Sequence, residues 1–214
     1  MKKSVYSIVL MDRVIDAVDE EAYRLGTSRS NLINQILAEH LNCTTPEMKM
    51  RTIFAAINAA MNSHFQIQQQ RSDSLLTLRT ALNYRYRPVL NYKVELSRSP
   101  ENYIGVLRVQ IRTQNPSLTA LFDSFFSFWT KLEQVLLSNA GCFYYSYSLS
   151  PNSFSRELIN SGSGSAEIIS SAIAGYIQLL DKAIKLYISA PNAFASAAPE
   201  IEHEYRSILT HTII

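Results

Sequence analysis

The residue types that carry most enzyme chemistry are sparse and scattered in this chain. Its four histidines, His40, His64, His203 and His211, form no HxH or HExxH pattern. His40 and Cys43 make one HxxC pair, which is a poor metal site by itself, and Cys142 lies too far along the chain to complete it. No nucleophile elbow, Walker loop or dinucleotide fingerprint is present; Gly162-Ser163-Gly164-Ser165 lacks the lysine and strand context of a phosphate loop. The expectation is therefore a protein that is not an enzyme and uses no metal or cofactor. What the chain does carry is chemistry suited to anions. It lies in the stretch from Arg71 to Arg112, with eight Lys and Arg against three Asp and Glu. A guanidinium fork matches phosphate oxygens, so this stretch points toward a phosphate-binding surface or a face that meets an acidic partner.

Composition bounds the scaffold that must position these groups. The chain has 214 residues, 47% of them apolar, with 12 Tyr, 9 Phe and one Trp. That is enough to bury a real core in one large domain or two small ones, and it excludes wholesale disorder. The net charge is +2, so any nucleic-acid face must be a local patch. Two cysteines suit a reduced, cytoplasmic setting. The apolar run after Met1-Lys2-Lys3 stops at Asp12-Arg13, too short for a signal peptide, and no stretch approaches a membrane span.

The first 43 residues read as a strand and two helices. Val5 to Leu10 is β-branched and aromatic, with Tyr6, Ile8 and Leu10 on one face and Val5, Ser7 and Val9 on the other. Asp12 is placed to cap a helix over 13–25, Gly26 to end it in a left-handed turn, and Ser28 to cap a second helix reaching Leu41. A block of this size buries too little surface alone, and a single strand has two open edges. A second copy, pairing strands and interlocking helices, is the simplest remedy.

This block resembles the ribbon–helix–helix (Arc/MetJ/CopG-like) superfamily of DNA-binding proteins. Val5 to Leu10, Val14, Val18, Ala22 and Leu32-Ile33 carry the match, and Leu25-Gly26-Thr27-Ser28-Arg29-Ser30 is its most specific part. The resemblance implies an intertwined homodimer whose two-stranded ribbon enters the major groove. It further implies that Val5, Ser7 and Val9 face DNA, that Thr27, Ser28, Arg29 and Ser30 clamp a phosphate, and that Lys2 and Lys3 reach flanking phosphates. The chain departs from the family's usual pattern because two of the three ribbon positions are Val. Valine can touch a thymine methyl but cannot hydrogen-bond a base edge. The block is also not basic, with five Lys and Arg against six Asp and Glu. The resemblance implies a transcriptional regulator, for example a repressor in a bacterium or mobile element. The alternatives are a DNA-site accessory protein for plasmid partition or a conjugative relaxosome, and an interaction protein whose N-terminal block only dimerises.

Residues 47–214 read as a separate α+β domain for oligomerisation, sensing or a protein partner. One helix is expected over 48–70. An antiparallel meander follows over 75–113, with strands over 76–87, 90–97 and 107–112 and a turn at Ser99-Pro100-Glu101-Asn102. Its wet face would carry Arg79, Arg85, Arg87, Lys93, Arg108 and Arg112, a secondary basic surface or ordinary solvated edge cations. Tyr84, Tyr86 and Tyr92 fall on the apolar face. Asn115-Pro116 should start a buried aromatic helix, Ser146 to Ser165 reads as a Ser-rich loop, and helices are expected over 166–188 and 200–210.

Overall fold

The computed structural model describes residues 5–68, 74–98, 103–143, 146–159 and 165–211. The chain divides into two compact units, Met1–Lys49 and Met50–Ile214.

The first unit is helical. Helix α1 (Asp12–Leu25) and helix α2 (Arg29–His40) form where the apolar spacing places them, and α3 (Pro46–Ala60) begins at the unit's end. Asp12 is not the cap expected of it: it is the first residue of α1, Met11 holds the cap position without a side-chain bond, and the Asp12 carboxylate stands in the positively polarised first turn. Gly26 closes α1 at φ 62° and ψ 31°, and the next amide, Thr27 N–H, donates back to Ala22 O at 2.9 Å. That left-handed geometry is cheap only for a residue without a side chain. Ser28 caps α2 by accepting from Asn31 N–H at 3.3 Å.

The expected ribbon–helix–helix fold is not found. Residues 5–10 form no strand, and every strand among the described residues lies between Gln66 and Ile159. The reason is physical: a strand is defined by its ladder, and no described segment of the chain pairs with Val5–Leu10. The order observed is three helices first, then four strands, a helix, two more strands and two closing helices.

The second unit is built on a six-stranded antiparallel sheet. Its strands are β1 (Gln66–Gln68), β2 (Leu75–Ala81), β3 (Val89–Leu96), β4 (Tyr103–Ile111), β5 (Tyr147–Ser150) and β6 (Ser153–Ile159), in the spatial order β1-β2-β3-β4-β6-β5. Helix α4 (Pro116–Asn139) connects β4 to β5, and α5 (Ala166–Ser189) and α6 (Pro191–His211) follow β6. Asn115 caps α4 with Pro116 at its start. Leu78, Tyr92, Val109 and Phe154 line up across four strands with no exposed surface. They pack with Phe125, Phe126 and Trp129 of α4 and Ile173, Ile177 and Leu180 of α5.

Several boundaries differ from those expected. The helix expected over 48–70 ends at Ala60, because Asn62 Oδ1 accepts from His64 N–H and the following Gln66–Gln68 pairs with β2. The first meander strand ends at Ala81, and Tyr86 and Arg87 take positive φ in the turn that follows. Tyr86 is therefore exposed, while Tyr92 is core. Over residues 147–159 the Ser-rich stretch is not a loop but the β5–β6 hairpin, turned at Pro151-Asn152 with Asn152 at φ 59°. The last helix starts at Pro191 and carries Pro199 within it. Gly162, Ser163 and Gly164, and the expected turn at 99–102, lie outside the described residues.

Two buried polar clusters tie the sheet to the helices. Asp181 of α5 accepts from Thr80 at 2.6 Å, from Tyr92 at 2.9 Å and from Lys185 at 2.6 Å. Glu133 of α4 accepts from Tyr205 at 2.8 Å and pairs with Arg156 of β6 at 3.4 Å. The Arg156 guanidinium also lies over the Tyr176 ring, 4.6 Å from its centroid. Burial opposes its charge, but Glu133 and the surrounding tyrosines outweigh that, and its pKa rises well above the usual arginine value. Among the described residues no helix is long and apolar enough to cross a membrane.

Candidate functional site

In the first unit the candidate phosphate clamp sits at the start of α2. Ser28 and Ser30 are exposed and Thr27 is half-buried. The Ser28 hydroxyl is already used by Asn31 N–H, whereas the N–H groups of Arg29 and Ser30 have no acceptor among the described residues. Two free amides at a helix N-terminus attract an anion. Arg29, however, holds the Asp19 carboxylate of α1 with Nε and Nη2 in a bidentate, solvent-exposed pair. The hydrogen bond to Asp19, and then its charge, raise the Arg29 pKa. Val5 and Val9 are 99% exposed and Ser7 is exposed, in a segment without ladder bonds. Lys2 and Lys3 lie outside the described residues.

The same unit is short of a core. Its buried apolar residues are Ala22, Leu32 and Ala38, and two of the three are alanines. Val14, Leu25, Ile36, Leu37 and Leu41 are exposed, the last at 66%. The apolar set that spaced these helices in the sequence is thus largely uncovered.

In the second unit the period of two sends one set of strand residues away from the core. Cross-strand register arranges that set in rows. One row runs Gln66, Arg79, Asn91, Gln110, Ser153 and Ser150 from β1 to β5. The next runs Gln68, Thr77, Lys93, Arg108, Ser155 and Ser148, with Thr77 buried within it. A third, shorter row holds Leu75, Glu95, Val106 and Glu157. The first two rows carry cations, amides and hydroxyls, with no carboxylate and no aromatic ring. A shallow depression of about 530 Å³ lies over them, lined by Arg79, Asn91, Lys93, Gln110 and Arg112, with Asn152 and Ser153 at the far side.

Of the six basic residues expected on the wet face, the structure thus gathers Arg79, Lys93, Arg108 and Arg112. Arg85 and Arg87 leave it for the β2–β3 turn, where the Arg85 guanidinium lies 4.9 Å from the Tyr86 ring centroid. Arg79 donates to Asn91 Oδ1 at 3.0 Å, and Gln110 donates to Ser153 Oγ at 3.4 Å. The members from β1, β5 and β6 escaped the sequence reading. The alternation Ser153-Phe154-Ser155-Arg156-Glu157-Leu158, with Phe154 and Leu158 on one face, was the available signal. No three or more His, Cys, Asp or Glu among the described residues are grouped to hold a metal ion. Compared with family models, curated proteins and solved structures, the chain matches none.

Proposed function

We propose that the chain is a homodimeric DNA-binding protein acting as a transcriptional regulator, with Met1–Lys49 as the dimerising unit and the start of α2 as a phosphate contact. The observation that carries this reading is the half-built core of the first unit. Two helices that bury only Ala22, Leu32 and Ala38 while exposing Val14, Ile36, Leu37 and Leu41 gain a core from a second copy. The free amides of Arg29 and Ser30 supply the anion-attracting end. The reading does not require residues 5–10 to be a strand.

One observation favours a second reading, in which this unit only dimerises and the protein recruits another protein. Arg29 is engaged by Asp19, and the first 43 residues are not basic, so the electrostatic attraction to a duplex is small there.

Ile36→Glu with Leu37→Glu tests dimerisation, with mass in solution measured by light scattering. The wild type should run at twice 24.2 kDa and the variant at 24.2 kDa. Fluorescence anisotropy with the duplex upstream of the chain's own gene, against a scrambled duplex, tests DNA binding. Specific binding lost in the monomeric variant supports the regulator. A folded dimer that binds neither duplex supports the interaction protein. Many adjacent sites filled cooperatively would shift the role to a DNA-site accessory protein.

A further inference from the structure

We infer that the face of the β-sheet carrying Arg79, Lys93 and Arg108 is a second anion site, built to bind the phosphate groups of a nucleic-acid backbone without reading its sequence. The inference concerns the second unit alone and stands independently of what the first unit does.

Three observations converge. First, Lys93 and Arg108 are directly opposed on neighbouring strands of the same face. Side chains so placed have Cβ atoms about 5 Å apart, and like charges there repel. Arg79 stands diagonally from Lys93, at roughly 7–8 Å. Second, none of Lys93, Arg108 and Arg112 has an ion-pair partner among the described residues, although Glu95 and Glu157 lie in the adjoining row. A like-charge pair kept on a sheet face without a carboxylate between is relieved by a bound anion. Third, the cations are interleaved with neutral groups, Asn91, Gln110, Ser153 and Ser155, whose amides and hydroxyls donate to phosphate oxygens.

The geometry also selects among anions. Six strands at about 4.8 Å spacing make the rows roughly 24 Å wide, long enough for several consecutive phosphates. The two cationic rows contain no aromatic ring, so base stacking is not available and the contact is to backbone. A free phosphate or nucleotide shares this chemistry, and the depression of about 530 Å³ would also admit one.

The test uses full-length protein carrying Lys93→Gln with Arg108→Gln, and a Glu157→Gln control. The probes are a mixed-sequence duplex, its scrambled counterpart and inorganic tripolyphosphate, each titrated at several salt concentrations. The Gln pair should weaken binding about equally on both duplexes and lower the salt slope by about two units. The control should bind at least as well as wild type. Because both cations stand on the solvent side, the Gln pair should fold, and its melting temperature without ligand should equal or exceed that of the wild type. Tripolyphosphate should raise the melting temperature of the wild type more than that of the Gln pair. Stronger protection by tripolyphosphate than by duplex would assign the site to a free phosphate compound. An unchanged salt slope, or equal competition by polyglutamate, would overturn the inference. The monomeric Ile36→Glu, Leu37→Glu protein should keep this sheet-dependent binding, so failure of the dimer reading leaves the result interpretable.

Discussion

Glu133 on α4 and Arg156 on β6 form an ion pair in which neither side chain has any exposed surface. The pair joins the helical layer to the sheet at a register position where Leu76, Val94 and Leu107 hold the same face. Removing one partner strands a charge in the core. Arg156→Met alone should cost about 3–5 kcal/mol, and Glu133→Leu alone a similar amount. The double variant should recover most of that loss, because two apolar groups of similar volume replace the pair. Urea denaturation of the four proteins measures the coupling.

Alkaline pH should unfold the second unit cooperatively. Burial, with help from nearby carboxylates, raises the pKa of Tyr92, Tyr176 and Tyr205 well above the ordinary value of 10.0. A raised folded-state pKa means that the folded form holds its proton more tightly than the unfolded chain. The stability so contributed is complete below about pH 10 and is lost as pH rises past it. Tyrosinate absorbance should therefore rise gradually for exposed tyrosines and then jump as the protein unfolds. A single smooth titration of all 12 tyrosines with the fold retained would contradict this assignment.

Gly105 should tolerate no side chain. A Cβ there would lie 2.0 Å from Glu95 O, and the glycine sits where the β4–β6 register shifts. The obstruction is backbone, which cannot rotate away. Gly105→Ala should cost about 1–3 kcal/mol, measured as a lower urea midpoint with an unchanged slope.

Arg29 and Asp19 offer a reciprocal test of the proposed phosphate contact. If Arg29 touches DNA, Arg29→Ala should lower the salt slope by about one unit, about equally across sequences. Asp19→Asn should release the guanidinium and strengthen binding. An unchanged slope in both variants would remove Arg29 from the interface.

The parts of the fold that were legible are those set by local chemistry. Gly26, Ser28 and Asn115-Pro116 act within a few residues of themselves, so the ends of α1, α2 and α4 could be read one segment at a time. The β5–β6 hairpin could not, because its serines signal a loop by composition while Phe154 and Leu158 signal a strand only once a core exists to bury them. The burial of Arg156 was out of reach for the same reason: it depends on Glu133, a partner 23 residues away on another element. The secondary basic surface was visible as charge. Its division into rows, and the loss of Arg85 and Arg87 to a turn, depend on register and on two positive φ angles. Val5 to Leu10 shows the converse, since strand-forming residues without a ladder form no strand.

At one side the sheet ends in β5, a strand of four residues. Such a stub offers an incoming chain few backbone groups to pair with, and the two cationic rows end there in Ser150 and Ser148. Growth of the sheet from molecule to molecule is thereby discouraged, even where two copies are held together at high local concentration. Any association between copies would then fall to side-chain surfaces rather than to open-ended strand addition.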